Sequence, residues 1–224
     1  MFSLLKEVIT FFLKYIWPIS LLTLFIELPY ILVRNFEYFT ELPPVISSWL
    51  SMVVFGGVFI IYPLSTGAQI SLYYQIINDS KLDFLKCISV SKKYLPNLVF
   101  GTLIYLLLTI LGLAAFIIPG IIIGVRLSLY CFLIIYEDYS PLDSLKESYR
   151  ITAGYTWHMA NPFLVLSIPI IAANIFMQEF FIAIDYYNIF FGTVIDSIFS
   201  IFGWLNLVLL FRFYCIYKVK GKLN

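Results

Sequence analysis

Six long apolar runs dominate the chain, and short segments rich in polar and charged residues separate them. The runs cover approximately residues 16–34, 46–66, 96–118, 121–137, 157–177 and 189–211. A helix rises about 1.5 Å per residue and a bilayer core is about 30 Å thick, so each run is long enough to cross as a helix. The pattern predicts an all-α fold class, a polytopic membrane helical bundle of six transmembrane helices, forming a single integral membrane domain over residues 1–224.

The second run is longer than a bilayer requires. A helix from Val45 to Ile77 would measure roughly 50 Å, and Pro63, Ser65 and Gly67 offer places for a break. A separate crossing by residues 67–77 would move the lysines that follow to the outer side of the membrane. We therefore interpret 67–77 as the extension of one long, kinked helix.

Pro119 and Gly120 are expected to form the turn between the third and fourth spans. Proline presets φ at the second position of a type II turn, and glycine accepts the positive φ needed at the third. Gly120 and Gly124 also form a GxxxG pair, which can allow close helix approach. The turn by itself is sufficient to explain Gly120.

Three segments between the runs have apolar residues at three- and four-residue spacing among polar ones: residues 2–13, 80–94 and 141–153. This pattern is typical of short amphipathic helices at a membrane interface. In the last segment Ser140 can serve as the N-cap, Pro141 as the first helical residue, and Asp143 suits the first turn. Gly154 is a natural stop for this helix.

Two of these segments share a short sequence pattern: residues 82–86 read LDFLK and residues 142–146 read LDSLK. Each of the three segments precedes a pair of predicted spans. The chain could therefore consist of three repeats of an interfacial helix and a hairpin, as in transporters with parallel repeats. The alternative is that biased composition and the same capping chemistry produced the similarity.

The basic residues are distributed unevenly along the chain. Twelve of the 14 Lys and Arg residues fall in four clusters that flank the spans on one predicted side: Lys6 and Lys14; Lys81, Lys86, Lys92 and Lys93; Lys146 and Arg150; Arg212, Lys218, Lys220 and Lys222. Cytoplasmic loops retain Lys and Arg, so this asymmetry predicts a multi-pass protein with both termini in the cytoplasm.

Composition excludes a water-soluble fold, because 62% of the residues are hydrophobic and 12% are charged, against about 25% charged in soluble domains. The net charge of +1 argues against a nucleic-acid partner. Basic residues beside membrane segments instead suggest contact with anionic phospholipid headgroups. The candidate lipid-contacting residues are Lys86, Lys92, Lys93, Lys146 and Arg150.

We find no pattern that predicts an enzyme, a cofactor site or a metal site. The three cysteines lack ligand spacing, and no nucleophile–base arrangement, phosphate-binding loop or nucleotide fingerprint is evident. His158, the one histidine, is interpreted as an interfacial anchor. An enzymatic function would need a group such as His158 to meet Glu137 or Asp138.

Three ionisable residues within the spans, Glu27, Arg126 and Asp196, form a candidate intramembrane charge cluster. Burying a charge in a membrane is costly, so such residues are functional candidates by default. Counted along the helices, all three lie roughly 9–11 Å below the outer surface. The alternative is a structural ion pair, or an Arg126 side chain that extends to the interface.

Residues 117–154 resemble the YciC-like family of bacterial inner-membrane proteins, and similar patterns occur in the membrane domain of some glycerophosphodiester phosphodiesterases. The matching features are Ile118-Pro119-Gly120, Arg126, Ser140-Pro141, Leu145, Ser148, Thr152 and Gly154. The pair Tyr130-Cys131 departs from a proline often found there, and Ala153 stands where the family often has a basic or polar residue. The resemblance implies an inner-membrane location and a helical bundle, and it does not imply an activity.

Two functions follow from these observations. The leading hypothesis is a non-enzymatic inner-membrane protein that is associated with lipids or other envelope components. The sequence does not identify its protein partners. The alternative is a small-molecule or ion transporter or channel that uses the intramembrane charge cluster.

Overall fold

The computed structural model describes residues 2–39, 43–184 and 186–221, without the side chains of 38–39 and 218–221. Within these ranges the chain forms nine α-helices and no strand. They are α1 (Phe2–Lys14), α2 (Ile16–Phe39), α3 (Pro44–Ile77), α4 (Phe84–Ala115), α5 (Ile117–Leu127), α6 (Tyr130–Glu137), α7 (Pro141–Ile151), α8 (Thr156–Ala183) and α9 (Ile189–Gly221).

Six of the described helical stretches are long and apolar enough to cross a membrane: α2, α3, α4, α5 with α6, α8 and α9. The predicted fold class, an all-α polytopic bundle, is confirmed, and the chain is a multi-pass membrane protein. The long helices form a closed arrangement, because neighbours along the chain pack together while α2 also packs on α9 and α5 packs on α8.

Helix α3 runs without interruption from Pro44 to Ile77, with Pro63 inside it. Residues 67–77 therefore continue the second span, as the pattern predicted. The first half of α3 exposes large apolar side chains such as Trp49 and Phe55, whereas residues from Ser65 to Tyr73 are buried. Exposed apolar side chains suit contact with lipid, so α3 passes from a lipid-facing half into the centre of the bundle.

The segment expected to form a separate interfacial helix at 80–94 is instead the beginning of α4. Asp83 caps α4 by accepting a hydrogen bond of 3.0 Å from the backbone N–H of Lys86, and the helix continues past Pro96 to Ala115. Ser91 Oγ donates to the carbonyl oxygen of Leu64 at 2.6 Å. This packing on α3 keeps the first turns of α4 in line with its membrane span.

The turn between α4 and α5 is at Phe116, and the predicted type II turn at Pro119-Gly120 is wrong. Phe116 alone is extended, with φ −162° and ψ 151°, and both Pro119 and Gly120 lie in the first turns of α5. A proline is accommodated there because the first N–H groups of a helix have no partner within the helix. A Cβ on Gly120 would lie 2.5 Å from Cγ of Leu113, so glycine is needed for close packing on α4.

Helix α7 forms as predicted, with Ser140 Oγ accepting from the backbone N–H of Asp143 at 3.2 Å. Its inner face bridges the break between α5 and α6. Ser148 Oγ donates to the carbonyl oxygen of Arg126 at 2.8 Å and accepts from the backbone N–H of Leu129 at 3.1 Å. The side chain thus satisfies backbone groups that a broken helix leaves without partners.

The three segments that precede the hairpins pack on membrane helices: α1 on α9, the start of α4 on α3, and α7 on α4, α5 and α6. An ion pair of 2.7 Å between Arg212 and Glu7 joins α9 to α1. The three-repeat hypothesis stays a prediction, because α7 also packs on α4, the first helix of its own hairpin.

Candidate functional site

A cavity of about 570 Å³ lies among α2, α3, α4, α6, α8 and α9, within the size range of ligand pockets, roughly 300–1,000 Å³. Its lining combines charged, amide and hydroxyl side chains with aromatic ones. The residues that define this central cavity include Glu27, Tyr30, Arg34, Tyr62, Tyr105, Tyr130, Asn174, Asp196, Ser200, Gly203, Trp204 and Asn206.

Glu27 is held in the wall of the central cavity by two hydroxyl groups from neighbouring helices. Ser65 of α3 donates to Oε1 at 2.5 Å, and Ser200 of α9 donates to Oε2. A carboxylate within an apolar bundle needs such donors, because an unpaired buried charge is strongly unfavourable. Each carboxylate oxygen has two lone pairs, so Glu27 can still accept from a ligand while the serines hold it.

Asp196 forms a second polar centre in the same cavity. Its Oδ2 accepts from Arg34 at 2.5 Å and from Asn35 at 2.9 Å, and its Oδ1 accepts from Gln178 at 3.2 Å. The Asp196 side chain is 10% exposed and that of Arg34 is 44% exposed. This network joins α2, α8 and α9, so it stabilises the bundle and also places ionisable groups in the cavity wall.

Arg126 does not join Glu27 and Asp196, which corrects the predicted charge cluster. Its Nε donates to Thr156 Oγ1 at 3.1 Å, and its guanidinium lies 4.5 Å from the ring centroid of Tyr149. Arg126 lines a shallow surface pocket that also contains Trp157 and His158.

The predicted depth of Arg126 was counted from a turn at Gly120, whereas the turn is at Phe116, so Arg126 lies about 15 Å along α5 and not about 9 Å. There α7 and the start of α8 pack against Arg126. The cation that meets Asp196 is Arg34. One signal could have found it: Arg34 and Arg126 are the two of the 14 basic residues that belong to none of the four clusters.

Aromatic rings form two walls of the central cavity. The Tyr62 ring stacks on Trp204 with centroids 6.3 Å apart, and Tyr105 stacks on Tyr130 at 5.5 Å. Trp204 is 5% exposed, and its Nε1 has no hydrogen-bond partner among the described residues. An unpaired buried donor costs about 1–3 kcal/mol, which would favour a water or a ligand acceptor at this position.

The charged groups in the described cavity lining are two acids, Glu27 and Asp196, and one base, Arg34. With both carboxylates ionised, the cavity carries one more negative than positive charge. His158, Glu137 and Asp138 do not add to it: His158 lies beside Arg126, whereas Glu137 accepts from Tyr214 and Asp138 from Tyr94.

The five candidate lipid-contacting residues are all exposed: Lys86, Lys92, Lys93, Lys146 and Arg150. The last two have acidic neighbours on α7. Lys146 lies 4.0 Å from Asp143, and Arg150 lies 2.6 Å from Glu147. Of the C-terminal basic cluster, Lys222 and the side chains of Lys218 and Lys220 lie outside the described residues.

The hydrogen bonds from Arg150 hold the pKa of the Glu147 carboxyl below its ordinary value.

Among the described residues, no group of three or more His, Cys, Asp or Glu could hold a metal ion. Comparison of the chain with models of protein families, with curated proteins and with solved structures gives no match.

Proposed function

We propose that this membrane protein binds a small molecule in the central cavity and moves it across the membrane. The observation that carries the proposal is the placement of Glu27 and of the Arg34–Asp196 pair in the wall of one cavity inside the bundle. This is the transporter hypothesis drawn from the sequence, with Arg34 in the place of Arg126.

Proline residues near the cavity support a transport function. Pro29 lies inside α2 two residues after Glu27, and Pro63 lies inside α3 one residue after Tyr62. A proline removes one backbone hydrogen bond and so allows a membrane helix to bend at that point. Helices that can bend beside a binding site suit alternating access from the two membrane sides.

A flux measurement with two glycine variants tests this proposal. A Cβ on Gly203, in the cavity wall, would meet no described atom within 4 Å, and the same holds for Gly56, outside the cavity lining. Gly203→Leu therefore adds a side chain in the cavity wall at a position with room for its Cβ, and Gly56→Leu is its matched control. Purified protein is reconstituted in vesicles, and uptake is measured for labelled amines, amino acids, carboxylates and sugars.

We expect uptake of at least one compound class by the wild-type protein and by Gly56→Leu, and none by Gly203→Leu. Equal uptake by both variants would show that the cavity is not the transport route. Absence of uptake across the whole panel in the wild-type protein would contradict the transport function.

We propose lipid association as a second function, favoured by the three exposed lysines Lys86, Lys92 and Lys93. Reversal of two charges, in Lys92→Glu with Lys93→Glu, should reduce the anionic phospholipid that co-purifies with the protein. Lys146→Glu is the comparison, and we expect a smaller reduction because Lys146 has an acidic neighbour, Asp143, at 4.0 Å. Co-purified lipid with the composition of the bulk membrane would contradict this function.

We further propose that the chain is a non-enzymatic protein of the bacterial inner membrane, belongs with the YciC-like family and has both termini in the cytoplasm. The support is the pattern of residues 117–154 and the distribution of basic residues. Reporter fusions within residues 80–94 and at the C-terminus should report the cytoplasm. A periplasmic signal at either position would contradict this orientation.

A further inference from the structure

Resting on the proposed function, we propose that the ligand is a cationic amphiphile. Its ammonium head lies beside Glu27 in the central cavity. Its apolar chain extends into a second, smaller cavity, here called the side crevice, which is bounded by α4, α5, α8 and α9.

The side crevice is apolar and adjoins the central cavity. Its volume is about 170 Å³, and it is lined by residues such as Leu113, Gly124 and Leu164. Four residues line both spaces, Tyr105, Ser128, Phe163 and Leu210. A polar chamber that adjoins an apolar crevice matches a ligand with a polar head and one short hydrocarbon chain.

The charge and the aromatic walls of the central cavity favour a cationic head. With both carboxylates ionised, the described lining has an excess of one negative charge, and Glu27 retains free lone pairs beside its two serines. The stacked pairs Tyr62–Trp204 and Tyr105–Tyr130 border the same space. Aromatic faces attract organic ammonium ions, and an anionic head would face the uncompensated Glu27 carboxylate.

Three small probes separate the contributions of head and chain: hexyltrimethylammonium, tetramethylammonium and hexanoate. Binding to the full-length protein is measured by calorimetry in nanodiscs of uncharged lipid. Each buried methylene strengthens binding by about fourfold. Hexyltrimethylammonium should therefore bind at least tenfold more tightly than tetramethylammonium, and hexanoate should not compete.

Variants then assign each part of the ligand to its site. Glu27→Gln should weaken both cations by a similar factor, at least tenfold. Leu164→Phe, which enlarges a side chain that lines the side crevice, should weaken only hexyltrimethylammonium. Gly56→Leu, at a position that lines neither space, should bind as the wild type does and so corrects for partition of the probes into lipid. If Glu27→Gln does not fold, as judged by its thermal unfolding, Gly203→Leu replaces it.

Two results would overturn the proposed ligand class. One is an unchanged affinity for the cations in Glu27→Gln, or in Gly203→Leu where that variant replaces it. The other is hexanoate binding as tight as that of hexyltrimethylammonium. Equal losses for both cations in Leu164→Phe would overturn the position of the chain. Cation binding without flux would contradict the transport function and leave the ligand class intact. Flux of another solute without cation binding would contradict the ligand class and leave the transport function intact.

Discussion

The ion pair between Arg34 and Asp196 can be measured as a coupling free energy with three variants. These are Arg34→Met, which keeps most of the apolar stem, Asp196→Asn, which keeps the shape of the acid, and the double variant. The two charged groups lie 2.5 Å apart at their closest atoms. A double-mutant cycle isolates the energy of their interaction from the other effects of each substitution.

The expected coupling follows from the exposure of the two side chains. Two unit charges about 4 Å apart interact by about 1 kcal/mol in water and about 4 kcal/mol at an effective dielectric constant of 20. Asp196 is 10% exposed and Arg34 is 44% exposed, so the pair lies between these limits. We expect a coupling of about 2 kcal/mol, above the roughly 0–1 kcal/mol of fully exposed pairs.

The assay is equilibrium unfolding of the purified protein in mixed micelles, with the fraction of sodium dodecyl sulfate as the denaturing variable and circular dichroism as the signal. Arg126→Met combined with Asp196→Asn is the comparison cycle. Arg126 contacts Thr156 and Tyr149, so this pair should be additive within about 0.5 kcal/mol.

Two results would refute the reasoning. A coupling below about 0.5 kcal/mol between Arg34 and Asp196 would mean that solvent screening removes the interaction. A larger coupling between Arg126 and Asp196 would restore the charge cluster first drawn from the sequence.

Two further predictions concern packing and pH. Gly67→Ala should destabilise the bundle by about 1–3 kcal/mol, because its Cβ would lie 2.4 Å from Ser91 Oγ. The control Gly56→Ala should be neutral or stabilising, because a Cβ there meets no described atom within 4 Å. Equal unfolding curves for the two variants would contradict this prediction. Because Arg150 lowers the Glu147 pKa, their contact should stabilise the fold above pH 4.5, the ordinary pKa, and lose this effect as the pH falls through the lowered pKa. Glu147→Gln should flatten that part of the pH–stability curve, and an unchanged curve would exclude this contribution.

Features that depend on near neighbours in the chain are those that the pattern predicts correctly. The length of the apolar runs is enough to predict the six membrane helices, because backbone groups in lipid must be paired within a helix. The N-cap at Ser140 and the unbroken course of α3 through 67–77 likewise depend on nearby residues and on charge placement. The acids of the site, Glu27 and Asp196, are recognisable for a similar reason, since carboxylates inside apolar runs are rare.

Features that depend on contacts between distant helices could not be read from the chain. The turn at Phe116 depends on close packing of Gly120 on α4, and the helix break before Leu129 depends on Ser148, 19 residues further along. The same holds for the cation at the site: Arg34 meets Asp196 across 162 positions. Local preference and hydropathy act over a few residues, whereas the cavity and its charges exist only where α2, α3, α4, α6, α8 and α9 pack together.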